Sequence, residues 1–177
     1  VVDLTWRVEL LHREHDRAAF DCGESELNSY LQKFANQHAR HRLSRTYVMV
    51  ATELPNQIWG FYTLSTGSIT HGSLPPEWRK KLPTYPIPVA RIGRLAVDKM
   101  RQGTGLGELL LKDALWRCAN LSKEIGLFSI LVDAKHEKAK AFYLKYGFRA
   151  LIDQPLSLYL PISSLIAALP GADREGD

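Results

Sequence analysis

Apolar and polar positions alternate loosely through WRVELL (Trp6–Leu11), which predicts a first strand. The period then lengthens. In FDCGESELNSYLQKFANQHARHRL, Leu27, Tyr30, Leu31, Phe34 and Ala35 recur at helical spacing, predicting a helix that starts at Ser25 and carries Lys33 and Arg40 on its polar side. Thr46–Thr52 and Ile58–Ile69 are strand-like runs. With LPNQ read as the turn between them, they predict a hairpin. LPPEWRKKLPTYPIP holds five prolines and predicts a connecting loop with a short helix at Pro76–Lys81. Val89–Asp98 then predicts a strand, and Gly107–Gly126 a helix with Leu110, Leu111, Ala114, Leu115 and Cys118 inward and Gly126 as its stop. Leu127–Ala134 is almost wholly apolar, as a buried strand would be. HEKAKAFYLKYG predicts a short helix closed by Gly147, and FRAL and LSLYLPI read as the last strand material. Residues 1–170 are expected to form a single domain and residues 171–177 a polar, frayed tail.

A chain of 177 residues, 45% of them hydrophobic, can bury a real core. It has no apolar run of the roughly 18 residues that a membrane span needs, so no membrane association is expected. VVDLTWRVEL lacks both a basic leader and an apolar signal core, and Cys22 and Cys118 form neither a metal-ligand spacing nor a disulfide framework. A cytoplasmic location without a bound metal is therefore expected. The net charge is only +4, yet the charges are segregated. Between Glu26 and Glu53 there is no acid, while Lys33, Arg40, Arg42 and Arg45 occur there. Between Glu77 and Asp98 there is again none, against Arg79, Lys80, Lys81, Arg91 and Arg94. Such segregation builds a positive face that attracts a polyanion, although a solvated helix face plus a basic loop would give the same pattern.

Between the strand at Val89–Asp98 and the helix after it lies MRQGTGLGELL, with Gly103, Gly105 and Gly107 at alternate positions. Amides in the first turn of a helix have no internal partners and sit at the positive end of its dipole. Glycine removes the side chains that would keep an anion away from them. Two familiar phosphate loops fail the spacing. The Walker form needs Gly-Lys-Ser/Thr, whereas Glu108 follows the last glycine; the dinucleotide form needs Gly-x-Gly-x-x-Gly, and the chain has Gly-x-Gly-x-Gly.

RLAVDKMRQGTGLGELLLKDAL followed by ILVDAKHEKAKAFYLKYGF resembles the GNAT family of N-acetyltransferases, over about residues 89–150. The resemblance implies an α+β fold, a central mixed and mostly antiparallel sheet flanked by helices, with acetyl-CoA as cofactor. It implies that Leu95, Ala96 and Val97 pair their backbone with the pantetheine arm, and that Gln102, Gly103, Thr104, Gly105, Leu106 and Gly107 wrap the pyrophosphate. Ala139 and Phe142 would lie on the helix at the far side of the cofactor, and Tyr143 would return a proton to the departing thiolate. FDCGESELNSYLQKFANQHARHRLSRTYVMV and GFYTLSTGSI are further similar to one branch, the TacT-like toxins of toxin–antitoxin pairs. That likeness implies acetylation of the α-amine on charged tRNA, a block of translation, a ribbon–helix–helix antitoxin and a homodimer. Lys33, Arg40, Arg79, Lys80, Lys81, Arg91 and Arg94 then become candidate tRNA contacts.

Acyl transfer from a thioester needs a held donor, a neutral amine and a proton for the thiolate. The backbone amide near Val97 is the candidate to polarise the thioester carbonyl. A free α-amine titrates near about 7.7–8.0, and an adjacent ester lowers that further, so no strong base is required. His71, His136 and Glu137 are read as satisfied polar residues, and Asp98 as a group that caps or orders the loop. The alternatives are a GNAT enzyme acting on a protein or small amine, and a GNAT fold that binds without catalysing.

Overall fold

In the computed structural model, which describes residues 5–169, seven strands are hydrogen-bonded in the order β1-β2-β3-β4-β5-β7-β6. They are β1 (Trp6–Leu10), β2 (Arg45–Ala51), β3 (Leu54–Ile69), β4 (Ile87–Val97), β5 (Ser129–Asp133), β6 (Arg149–Ala150) and β7 (Ser157–Pro161). The helices are α1 (Ser25–Ser29), α2 (Ala35–Arg40), α3 (Pro76–Arg79), α4 (Leu106–Leu121), α5 (Glu137–Lys145) and α6 (Ile162–Ala168). The pairings β1·β2, β2·β3, β5·β7 and β6·β7 are antiparallel, as expected of an α+β chain with a mostly antiparallel sheet. The tail expected at 171–177 lies outside the described residues. None of the described helices is long and apolar enough to cross a membrane. Backbone proximity divides the chain into two units. One takes Ile92–Ala114 with the chain up to Ser65, the other Thr66–Arg91 with the chain from Leu115 onward.

In the first unit, β1, β2 and the leading part of β3 form a meander, with Leu10 opposite Tyr47 and Arg45 opposite Leu64. The hairpin is present, but LPNQ is not its turn. Leu54–Gln57 belongs to β3, Ala51 faces Leu54, and Thr52 and Glu53 make the reversal. Pro55 has no N–H to give to the ladder, and the register slips there, between Ala51↔Leu54 and Val50↔Ile58.

The predicted helix also differs in one respect: α1 passes through a π-helical turn (Tyr30–Phe34) before continuing as α2. A wider turn rotates the apolar stripe. Tyr30, Leu31 and Ala35 stay buried, whereas Phe34, expected inside, is 45% exposed. Lys33 and Arg40 face solvent, as expected. Around Leu31, the core gathers Phe20, Val48, Val50 and Phe61. A Cβ on Gly60 would stand 2.6 Å from Leu110 Cδ1 and 2.9 Å from the Ala96 carbonyl oxygen, so only glycine lets α4 and β4 close this tightly on β3. Tyr62 adds a 2.5 Å hydrogen bond to Asp113 of α4.

In the second unit, β7 inserts between β5 and β6, pairing Ser129 with Pro161 and Arg149 with Tyr159. Ile130, Leu131 and Val132 are buried, as their apolar character leads one to expect, and the buried Ser129 hydroxyl is satisfied by the Ile130 carbonyl at 3.0 Å. Helix α4 stops at Leu121 rather than at Gly126. Ser122 N–H donates to Cys118 and its hydroxyl to Ala119, and the next amides turn back on Asn120 and Leu121 before the glycine is reached. Helix α6 takes Ile162 from the predicted strand material and otherwise occupies residues that sequence spacing leaves unassigned. It is too short to display a period, and its inward side chains are Ile162 and Leu165. Helix α3 is shorter than expected, ending at Arg79, and its Trp78 packs against a core that includes Ile87, Leu131 and Tyr159.

Candidate active site

Strand β4 hands the chain to a 3-10 turn (Lys99–Arg101), and the glycine segment then leads into α4. Asp98 is a cap, as its position suggested: its Oδ1 accepts the Met100 N–H at 3.0 Å. Gly103 and Gly105 have φ of 78° and 87°, the left-handed region where a β-carbon costs about 1–2 kcal/mol. A Cβ built on either would meet no atom within 4 Å, so the space over these backbones is open. Gly107 differs; it lies within the first turn of α4. The helical ladder is entered by the bond from Leu109 N–H to the Gly105 carbonyl, 3.2 Å, so the Leu106 and Gly107 amides lie ahead of it. Open space, leading amides and the dipole of a 16-residue helix fit a phosphate-bearing group.

The other loop residues act differently from one another. The Gln102 side-chain amide donates to the carbonyls of Val97 and Cys22, both at 2.9 Å, so this side chain braces the loop. Thr104 Oγ1 donates to the Arg101 carbonyl, and the Arg101 guanidinium lies 4.0 Å from the Trp59 ring centroid. Ala96 is buried, Leu95 and Val97 are half-buried, and the Asp98 N–H donates to Trp59 at 2.8 Å.

In the second unit, α5 begins with His136, whose Nδ1 accepts the Ala139 N–H at 3.1 Å. His136 is thus a cap. The helix ends at Gly147, φ 91°, which allows the Phe148 N–H to return to the Tyr143 carbonyl at 3.3 Å. That closure sets Phe148 edge-on to Tyr143 at 5.5 Å, and Phe142 flanks the same ring at 5.2 Å. Tyr143 is 8% exposed, and burial pushes its phenol up to about 12. It therefore holds its proton throughout the physiological range. Ala139 and Phe142, on the same helix, are half-buried.

The basic candidates are differently engaged. In the first unit, Lys33 and Arg40 are exposed, and Arg94 lies over Tyr30 at 3.6 Å. In the second, Lys80 and Lys81 are exposed, with Lys81 5.6 Å from the Trp78 ring, and Arg91 pairs with Asp133 at 3.3 Å. The carbonyl of Arg79 accepts from His71 Nε2 at 3.0 Å, which satisfies that histidine.

Among the described residues, Glu9, His12 and His15 bring ligand-type atoms within 4.8 Å of one another. However, both Nδ1 atoms already accept backbone N–H groups, His15 from His12 at 3.0 Å and His12 from Glu14 at 3.3 Å. Each Nε2 then carries a proton toward Glu9, the reverse of what coordination requires. The trio is a hydrogen-bonded corner.

Sequence reasoning missed the pairing of Asp21 with Lys99, 2.6 Å, and the seat that Tyr30 gives to Arg94. DCGESELN does carry a turn signature at Asp21, but nothing local announces which distant residue it grips.

Residues 18–157 match the acetyltransferase (GNAT) domain. A tRNA-acetylating toxin of Mycobacterium tuberculosis is 41% identical over 145 residues, covering 82% of this chain and 85% of that protein. A crystal structure of a tyrosine-to-phenylalanine mutant of KacT superposes with a TM-score of 0.88 at 33% identity, over 93% of this chain and 99% of that one. AtaT complexed with acetyl-methionyl-tRNAfMet gives 0.85 at 31% identity, over 91% and 97%. A tyrosine-to-phenylalanine mutant of AtaT bound to the C-terminus of the antitoxin AtaR and acetyl-CoA gives 0.77 at 28%, over 92% and 97%. The matched stretch carries both the left-handed glycine loop and the capped helix with its buried tyrosine: the chain belongs to the GNAT family of acetyltransferases.

Proposed function

We propose that this chain is an acetyl-CoA-dependent N-acetyltransferase toxin that acetylates the α-amine of aminoacyl-tRNA and thereby blocks translation. The observation that carries the reading is its 41% identity, over 82% of its length, to a tRNA-acetylating toxin. The likeness to AtaT in complex with acetyl-methionyl-tRNAfMet supports the same substrate class. The acid-free stretches around Lys33–Arg45 and Arg79–Arg94 supply the positive charge that a polyanionic acceptor needs.

When bound, acetyl-CoA supplies an acetyl thioester, and the chain contributes the rest. The Leu106 and Gly107 amides and the α4 dipole would hold the pyrophosphate, and the backbone of Leu95–Val97 would hold the pantetheine arm. The Val97 amide would be the donor to the thioester carbonyl oxygen. Tyr143 would give its phenol proton to the sulfur of the departing thiolate. A thiol's reference value near 8.5 lies below that of a phenol, so donation in water would run uphill. The dry surroundings that raise the phenol would also make a thiolate forming there a stronger base than it is in water, which favours the transfer. The attacking α-amine of an aminoacyl ester is largely neutral near pH 7 and needs no strong base. His71 and His136 are occupied by backbone contacts and receive no proton-transfer role.

The proposal extends to a ribbon–helix–helix antitoxin that lies over the basic surface, to a homodimer, and to action in the cytoplasm, where charged tRNA is found. Support for an antitoxin comes from the AtaT structure that contains the C-terminus of AtaR. Incubation with acetyl-CoA and a total charged-tRNA pool, followed by mass spectrometry of the aminoacyl adducts, tests the central claim. An N-acetylated aminoacyl ester is the expected product. Acetylation of proteins or small amines with untouched aminoacyl-tRNA would replace this reading by the other GNAT activity.

A further inference from the structure

The segment from Asp98 to Gly105 contains no buried side chain, so it has no apolar anchor of its own. Polar bonds to the loop ahead of α1 hold it instead. Lys99 N–H donates to the Asp21 carbonyl at 2.8 Å, and Asp21 N–H donates to Asp98 Oδ2 at 3.2 Å. Lys99 Nζ stands 2.6 Å from Asp21 Oδ2. One position further on, the Gln102 amide reaches the Cys22 carbonyl at 2.9 Å.

The second oxygen of Asp21 secures its own loop. Oδ1 accepts the Gly23 N–H at 2.8 Å and Asn28 Nδ2 at 2.9 Å, while Asn28 Oδ1 accepts the Cys22 N–H at 2.9 Å. A single carboxylate thus divides its two oxygens between the loop that starts α1 and the turn that leads to the glycines. Lys99, the Gln102 side chain and the Gly23 and Asn28 donors all converge on residues 21 and 22.

We propose that Asp21 is a positioning residue for the acetyl-CoA site: through Lys99 it clamps the turn that sets the glycine-loop amides. The inference rests on the reading of that loop as the acetyl-CoA pyrophosphate site. It carries a sign that simple electrostatics reverses. Removing the Asp21 charge makes the surroundings of the loop more positive and releases Lys99, so a purely Coulombic view has the anionic cofactor binding more tightly. A clamp has it binding more weakly, because the loop must then be ordered at the moment of binding.

The test uses the full chain in four forms: wild type, Asp21→Asn, Lys99→Met and the double variant. Calorimetric titration with acetyl-CoA should show affinity about fivefold weaker for each single variant, and the double variant no weaker than either, as expected for residues that act as one pair. Asp21→Glu should recover part of the loss. Hydrogen exchange of the ligand-free proteins supplies an independent readout. In Asp21→Asn, amides at 99–105 should exchange faster while those at 110–118 keep wild-type protection. Equal or tighter binding by Asp21→Asn, additive losses in the double variant, or unchanged exchange at 99–105 would overturn the clamp. A wild type that does not bind acetyl-CoA at all would overturn both the loop reading and this inference; binding by the wild type with no loss in the variants overturns this inference alone.

Discussion

The guanidinium carbon of Arg94 stands 3.6 Å from the centroid of the Tyr30 ring. Tyr30 is itself fixed: its ring is buried, its Oη lies 2.8 Å from Ser44 Oγ, and His38 meets it edge-on at 5.2 Å. The flat face of the guanidinium is therefore taken, and the N–H groups on its edge are what it can present to a phosphate. Lysine keeps the charge at this position but loses the planar stack, worth about 0.5–1 kcal/mol. Arg94→Lys should weaken tRNA binding a few fold with an unchanged salt slope. Arg94→Glu should weaken it more and flatten the slope of log K against log salt by about one. Filter binding at two salt concentrations separates the cases, and wild-type behaviour of both variants would remove Arg94 from the acceptor surface.

Tyr143→Phe deletes one hydroxyl from a ring packed between Phe142 and Phe148. Turnover should fall by about 10²–10⁴-fold, the usual span for a lost general acid, with acetyl-CoA affinity within a few fold of wild type. Because burial holds the phenol at about 12, the wild-type rate should show no alkaline decline attributable to this group below about pH 10. Single-turnover kinetics across pH checks both statements.

Gly105 combines φ 87° with open space above it. Gly105→Ala strains the backbone by about 1–2 kcal/mol without a clash, and acetyl-CoA binding should weaken accordingly. Gly105→Glu adds a carboxylate where the pyrophosphate is to rest, and titration calorimetry should detect no binding. Unaltered affinity in the glutamate variant would take the loop out of the site.

The Asp21 carboxyl is held down to about 2 by Lys99 first, then by the Gly23 N–H and Asn28. A depressed carboxyl stabilises the fold above its unfolded value, near about 3.9, and loses that contribution as pH falls through the folded value. Asp21→Asn should therefore lose less stability than wild type between about pH 4 and pH 2. Urea denaturation at stepped pH reads the difference, and parallel acid limbs would contradict it.

Gly60→Ala should destabilise the chain by about 1–3 kcal/mol, because the 2.9 Å neighbour of its new Cβ is the Ala96 backbone carbonyl. Leu110 Cδ1 can rotate aside; the carbonyl of a strand cannot. Chemical denaturation measures the loss, and a neutral result would mean that β3 and β4 can separate without cost.

What local sequence could say about this chain, it said where the cause lies within a few residues. Alternate glycines before an apolar period mark a helix that opens on bare amides. Gly147 followed by Phe148 marks a helix end that folds an aromatic back. Each rests on turn chemistry or spacing that acts within one or two turns. The π-helical turn that exposes Phe34, the strand that absorbs LPNQ, and the stacking of Arg94 on Tyr30 depend on partners that spacing cannot name. Asp21 and Asp98 exchange a hydrogen bond across 77 positions, and Gln102 turns its amide to the backbone of the same loop. Those contacts join the loop ahead of α1 to the turn that follows β4. Tertiary structure alone decided which polar groups hold the loop and which remain to meet a ligand, since a side chain's hydrogen-bond partner is set by distance in space.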